Sequence, residues 1–280
     1  PDLSETFPVR LIQGDFNAST GRRRGFFSID AETRPPEALD VHGGSSFNIW
    51  NADTGVRKGW ADPEVALAEL QRRRLSGETR SNSVFYGFPQ EWIRNLQTLP
   101  ALNCRIAYRM VSAGTNTRTV IANLLAPNII IEHSATHLIW RELNHEREAF
   151  LLGVLCSTPL DWYARCWVET NVLFFIFNRL PIPAPSADNA LCRRVVEISG
   201  RLAAVDERYA AWAEAVGVPI DSVTTATEKS ELVAELDAVV AHLYGLYADD
   251  LEVIWDTFHT TIDHLPSLDK VLGYYEDWSQ

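Results

Sequence analysis

The chain has 280 residues, 46% of them hydrophobic, and a formal net charge of −12. That is enough apolar material for one large core or two modest ones, and the acidity argues against a simple nucleic-acid binder. No apolar run is long enough to span a bilayer, and no signal-peptide pattern stands at the start, which excludes a helical membrane protein and leads to the expectation of a cytoplasmic one.

In chain order, residues 7–13 suit a short strand closed by Gly14-Asp15. GRRRG at 21–25 reads as a basic loop, and 31–46, with two prolines and two glycines, as further loop. Residues 46–50 suit a strand. Asp62-Pro63 opens a helix through Arg74, with Asp62 as N-cap and Pro63 in the first turn. Residues 103–112 alternate and predict a half-buried strand with Arg105 and Arg109 on one face; 118–125 predicts its hairpin partner across a turn at 113–116. Short strands are expected at 129–131, 137–140 and 171–177, and short helices at 145–155 and 159–168. The prolines within 181–185 mark a boundary. Beyond it, helices are expected at 190–215, 229–245 and 249–258; Val195, Ile198, Leu202, Val205, Tyr209 and Trp212 form a stripe at spacings of three and four.

The charge is uneven. Residues 1–120 hold 15 Lys+Arg and 13 Asp+Glu, whereas 121–280 hold 10 and 24. A DNA-facing surface, if the chain has one, belongs to the first half. Cys104, Cys156, Cys166 and Cys192 show no metal spacing and read as reduced, buried thiols. The chain begins at Pro1 and Met110 is its one methionine, so a piece of a longer polypeptide is expected.

Several phrases, in order, carry a family resemblance. They are Phe7-Pro-Val-Arg with Gln13-Gly-Asp-Phe-Asn, Ser45-Ser-Phe-Asn-Ile-Trp with Asp53-Thr-Gly, and Arg105-Ile-Ala-Tyr-Arg. Thr115-Asn-Thr-Arg-Thr-Val-Ile-Ala, Leu151-Leu-Gly-Val-Leu, Asp161-Trp-Tyr-Ala-Arg and Leu180-Pro-Ile-Pro follow. Together they resemble the C-terminal target-recognition region of large bacterial adenine-N6 DNA methylases, found in fused restriction-modification enzymes and phage-defence methylases. The resemblance covers most of residues 5–185 and implies an α+β architecture: a mixed-sheet DNA target-recognition domain at 1–185, then a small helical domain at 186–280. It implies double-stranded DNA as partner, together with a catalytic methyltransferase domain of the same parent chain. S-adenosylmethionine is implied for that parent, and no cofactor for these residues.

The residues themselves offer little catalysis. An adenine methylase needs a glycine-rich methyl-donor loop and an Asn/Asp-Pro-Pro-aromatic grip on the flipped base. The one Pro-Pro pair, Pro35-Pro36, lies between Arg34 and Glu37. A metal-dependent nuclease needs clustered acids and a lysine, but Lys58, Lys229 and Lys270 sit in no acid-x-Lys phrase. His133 and His137 are four apart, but their flanks suit strands, where that spacing converges poorly on a metal. No catalysis is expected of this chain on its own.

DNA binding needs cations for phosphates and forked donors for base edges. Four clusters qualify. They are Arg22-Arg23-Arg24 after Asn17; Arg57-Lys58 beside Trp60; Arg72-Arg73-Arg74 with Arg80 and Asn82; and Arg105, Arg109, Asn116 and Arg118 on the expected hairpin. Family members recognise different sequences, so the shared arginines Arg105, Arg109 and Arg118 are better suited to scaffold pairs or phosphate contacts than to base readout. Specificity is expected chiefly within 18–44, 54–100 and 113–117. Phe85, Tyr86 and Trp92 are candidates for a wedge, though such aromatics are more often core. The expected function is therefore sequence-specific recognition that positions a catalytic domain lying outside these residues. Its alternatives are a protein-interaction module docking to the methyltransferase or a partner subunit without DNA contact, and a divergent metal-dependent nuclease.

Overall fold

The structure, a computed structural model, describes residues 2–112, 116–258 and 265–279. Its elements in chain order are α1 (Leu3–Thr6), β1 (Val9–Gln13), α2 (Ala18–Arg23), β2 (Leu39–His42), β3 (Gly59–Ala61), α3 (Pro63–Gly77) and α4 (Gln90–Arg94). Then come β4 (Arg105–Arg109), β5 (Ala122–Leu125), β6 (Ile129–Ile131), β7 (Ala135–Trp140), α5 (His145–Cys156), α6 (Thr158–Arg165) and α7 (Phe174–Phe177). The chain ends in α8 (Ala190–Ala203), α9 (Ala210–Val216), α10 (Ala226–Tyr244), α11 (Ala248–Asp256) and α12 (Leu265–Trp278). The class is α+β, as the sequence pattern predicts. Among the described residues no helix is long and apolar enough to cross a membrane.

Two compact units result: a sheet unit of residues 8–111 and 123–142, and a helical unit of 1–7, 112–122 and 143–280. They divide the chain differently from the cut at residue 185 expected from the prolines, because α5 and α6 pack with the helices that follow.

The sheet unit holds a four-stranded sheet, order β1-β7-β4-β5, and a three-stranded sheet, order β3-β2-β6. In the second, β2 runs antiparallel to β3 and parallel to β6, so the sheet is mixed. Its core gathers Phe16, Phe27, Val41, Ala61, Ala66 and Ile130. Central β4, flanked by β7 and β5, is buried from Arg105 to Tyr108, not half-buried as the alternation predicts: successive residues point to opposite faces, and both faces are buried. Ala107 pairs with His137, so His137 shares the face of Arg105.

Four local expectations change. Residues 46–50 form no strand: Asn48 and Asn51 exchange backbone hydrogen bonds at 2.7 and 2.9 Å across a two-residue turn, with Trp50 at φ +53. The second hairpin strand starts at Ala122 rather than Arg118, since the Thr119 and Val120 N–H groups donate to the Asp161 carboxylate instead of a ladder. Residues 174–177 are one helical turn, which a short apolar run does not distinguish from a strand. The helix expected over 190–215 breaks: α8 ends at Ala203, and Asp206 accepts the Arg208 N–H to start a new turn. Val205, predicted on the stripe, is 41% exposed.

In the helical unit α5 is buried from Glu148 to Cys156. Gly153 permits a close approach of α8, since a Cβ there would lie 2.1 Å from Ser199 Oγ. Glu148 accepts the Trp212 indole N–H at 2.9 Å. Helices α10, α11 and α12 share a core of Ala238, Leu251, Ile254, Trp255 and Val271.

Candidate nucleic-acid interface

Residues 21–23 of the expected basic loop belong instead to the helix α2, Ala18–Arg23. Asn17 caps it by accepting the Thr20 N–H at 3.2 Å. Gly21 lets the helix lie on Phe27, whose ring would sit 2.6 Å from a Cβ there, and Gly25 turns the chain at φ +73. The helix therefore ends in a fixed display of three exposed arginines, Arg22, Arg23 and Arg24. Arg22 Nε donates to the Ala18 carbonyl at 2.9 Å; among the described residues no ion pair engages any of the three.

The α3 cations divide. Asp62 accepts the Glu64 and Val65 N–H groups as cap. Glu69 binds Arg72 at 2.7 Å and Arg73 at 2.7 Å, and the hydrogen bonds from Arg72 hold its carboxyl down at about 2. Arg73 also donates to the Asp15 carbonyl and stacks over Phe16 and Phe26 at 4.9 and 5.4 Å, which ties α3 to the chain on either side of α2. Arg74 is wholly buried, bonded to Gln71, Thr98 and the Asn95 carbonyl and set over Trp92; burial lowers its pKa to about 10. Arg80 is exposed and bonds back to Ser76. Asn82 is exposed.

Arg57 is engaged by the fold. It grips Asp53 with two bonds of 2.6 Å and Asp40 with one of 2.8 Å, while Asp40 also meets Arg34 at 2.7 Å. The hydrogen bonds from Arg57 hold Asp53 at about 2. Lys58 is half-buried, and its stem passes close to Gly43. The Trp60 indole N–H donates to the Asp30 carbonyl.

Asn116 and Arg118 belong to the helical unit. Arg118 donates to the Cys156 carbonyl at 2.8 Å and lies 3.4 Å from Asp161. Asn116 reaches Ser112 at 3.3 Å. Residues 113–115 of the expected tip lie outside the described residues. Arg109 donates to the Phe47 carbonyl, and Arg105 is buried against Asp15 at 3.1 Å.

The structure thus brings the first and third clusters together through Arg73, and turns Arg57, Arg73, Arg74, Arg105 and Arg118 toward the protein. Phe85 and Trp92 pack with Phe88 and Ile93, whereas Tyr86 is 46% exposed. Two arginines outside the sequence candidates sit at the same loop. Arg10 holds the carbonyls of Val84 and Tyr86 at 2.6 Å, and exposed Arg141 reaches the neighbourhood of Gly87. Only tertiary pairing brings them there, so no local signal marks them. His137 is fully buried, while His133 accepts the Ala18 N–H at 3.2 Å. Among the described residues no group of three His, Cys, Asp or Glu is placed to hold a metal.

No family model and no curated protein matches the chain. Among solved structures it is similar to the Type IIL restriction-modification enzyme MmeI in complex with DNA, at 14% identity and a TM-score of 0.39. The match covers 96% of this chain and 35% of that one, so the chain spans about a third of that enzyme's length.

Proposed function

We propose that the sheet unit recognises a specific double-stranded DNA site on behalf of an adenine-N6 methyltransferase or restriction-modification enzyme whose catalytic domain lies outside these 280 residues. The observation that carries this is the display on α2. Arg22, Arg23 and Arg24 stand exposed and unmatched by carboxylates on a capped helix, in a unit holding 15 Lys+Arg against 13 Asp+Glu; the helical unit holds 10 against 24. Polyanion binding needs such unneutralised cations, and forked guanidinium groups suit both phosphates and guanine edges. The sequence resemblance described above supports the same reading. In it Asn17, Arg22, Arg23, Arg24, Arg72, Arg80 and Asn82 face DNA, with Lys58 at the margin; Arg57, Arg73, Asn116 and Arg118 hold the scaffold.

The test is fluorescence anisotropy of the chain with a random duplex pool at low and physiological salt, followed by sequencing of the bound fraction. Salt-dependent binding with an enriched motif, weakened when the three α2 arginines become alanine, is the expected result. Absence of binding at low salt overturns the reading for this chain.

A further inference from the structure

Beside α2 the sheet unit carries a cleft of about 430 Å³, lined among others by Arg22, Gly25, Ile29, Pro35, Trp60 and Asp62. Its volume falls in the range of about 300–1,000 Å³ typical of small-molecule sites. Three features give it a chemistry. First, Trp60 supplies an aromatic wall that is fixed in place: its indole N–H is bonded to the Asp30 carbonyl, and its backbone exchanges two 2.8 Å hydrogen bonds with Ser28. Ile29, 62% exposed, and Pro35 extend that wall with apolar surface. Second, Arg22 stands at the rim with Arg23 and Arg24 next to it in sequence, and none of the three meets a carboxylate among the described residues. Third, Asp62 caps α3 through Oδ1 alone, accepting Glu64 and Val65 at 2.8 and 3.2 Å. Its Oδ2 has no hydrogen bond among the described residues and remains an acceptor on the cleft wall.

A flat apolar wall, a cationic rim and one acceptor match the three parts of a nucleotide: base face, phosphate and exocyclic amine. We propose that this cleft takes one unpaired nucleotide of the bound DNA, its base against Trp60, its amino edge toward Asp62 and its phosphate on the α2 arginines. An extruded base must find a stacking partner to offset the cost of leaving the duplex, and a base laid on an aromatic side chain is held with little regard to sequence. The acceptor at Asp62 favours adenine, cytosine or guanine over thymine, which lacks an exocyclic amine. Asp62 repels a phosphate, which places the phosphate at the Arg22 end. The inference rests on the DNA reading above, and its test separates the two.

The experiment is competition against a labelled duplex at low salt, using the whole chain and three unlabelled duplexes: fully paired, with one central unpaired adenine, and with one central unpaired thymine. The quantity read is the ratio of affinities between bulged and paired duplex, in which general charge effects cancel. The adenine bulge is expected to compete about tenfold better than the paired duplex, within what one base on an aromatic contributes, and better than the thymine bulge. Trp60→Leu and Ile29→Glu are each expected to bring the adenine ratio to one. Ile29 is exposed enough that its replacement leaves the fold intact, which covers the case in which Trp60→Leu fails to fold. Equal affinities in the wild type overturn the proposal while leaving the DNA reading in place, and so does an adenine ratio that survives Ile29→Glu. A thymine bulge as strong as the adenine bulge overturns the contact with Asp62. No binding of any duplex overturns the DNA reading instead.

Discussion

Arg105 and Asp15 meet inside the sheet unit, Nη2 to Oδ2 at 3.1 Å, with both side chains almost fully buried. Asp15 Oδ2 also accepts the Ile131 N–H at 2.8 Å, and Arg105 donates to the carbonyls of Pro100 and Ile129. The pair therefore joins β1's exit, β4 and β6. Burial raises the Asp15 pKa, against the pull of Arg105, so the carboxylate depends on its partner. Removing one partner leaves an uncompensated buried charge. Arg105→Ala and Asp15→Ala are each expected to cost about 3–5 kcal/mol in urea unfolding, whereas an apolar pair such as Arg105→Met with Asp15→Leu costs less than either. Single variants as stable as the wild type would show that the phrase beginning at Arg105 is not scaffold.

The exposed arginines have a different signature. Each phosphate contact contributes about 0.9 to the slope of log affinity against log salt. Replacing Arg22, Arg23 and Arg24 together by alanine is expected to lower that slope by about 2 to 3 without moving the urea midpoint. A slope unchanged within error places the phosphates elsewhere on the molecule.

What the sequence made legible follows from how local each signal is. The cap pair Asp62-Pro63 announces α3, and the apolar stripe Val195, Ile198 and Leu202 announces α8. Helix α2 is six residues long, too short for a period to register, and its glycines read as loop until Gly21 is seen packed on Phe27. The arginines were all visible, but which ones the fold neutralises was not. Arg72 and Arg73 sit three and four residues from Glu69, and Arg57 is four from Asp53; spacing alone suggests those pairs. Asp40 for Arg57, Asp15 for Arg105 and the Cys156 carbonyl for Arg118 come from distant segments, so their capture of a guanidinium is set by tertiary packing alone.

His42 makes the sheet unit sensitive to acid. It is 1% exposed, and neither ring nitrogen has a hydrogen-bond partner among the described residues. Burial, with the Arg57 charge, lowers its pKa from 6.5 to about 4. As pH falls below 6.5 the unfolded chain takes up a proton that the folded chain refuses until about 4. The stability contribution is therefore intact above 6.5 and is lost progressively down to 4, by about 3 kcal/mol. Buried His137 acts in the same direction; Asp15, raised by burial, acts in the opposite one. The reading is thus the difference between wild type and His42→Phe in urea midpoint from pH 7 to pH 4.5. The variant should lose less stability over that range, and parallel curves would refute the assignment.

Asp237 gives the helical unit the opposite dependence. It accepts the Thr158 N–H at 2.7 Å and the Thr158 hydroxyl at 2.8 Å, capping α6 from α10. Burial raises its pKa from 3.8 to about 6, partly offset by Arg118 and Thr158. Here the folded chain holds the proton more tightly than the unfolded chain. The contribution is fully present below 3.8 and is lost as pH rises through 6, again by about 3 kcal/mol. Asp237→Asn keeps an acceptor for the Thr158 N–H and has nothing to ionise. It is expected to match the wild type near pH 5 and exceed it near pH 8, whereas Asp237→Ala loses the cap and falls by about 1–3 kcal/mol. An Asn variant weaker than wild type at pH 8 would mean that the charged carboxylate is favoured there. The same measurement bears on Arg118, a DNA candidate on sequence alone. Its positive charge lowers the Asp237 pKa, so Arg118→Ala should move the Asp237 transition to still higher pH, as expected of a cation that serves the interior of the helical unit.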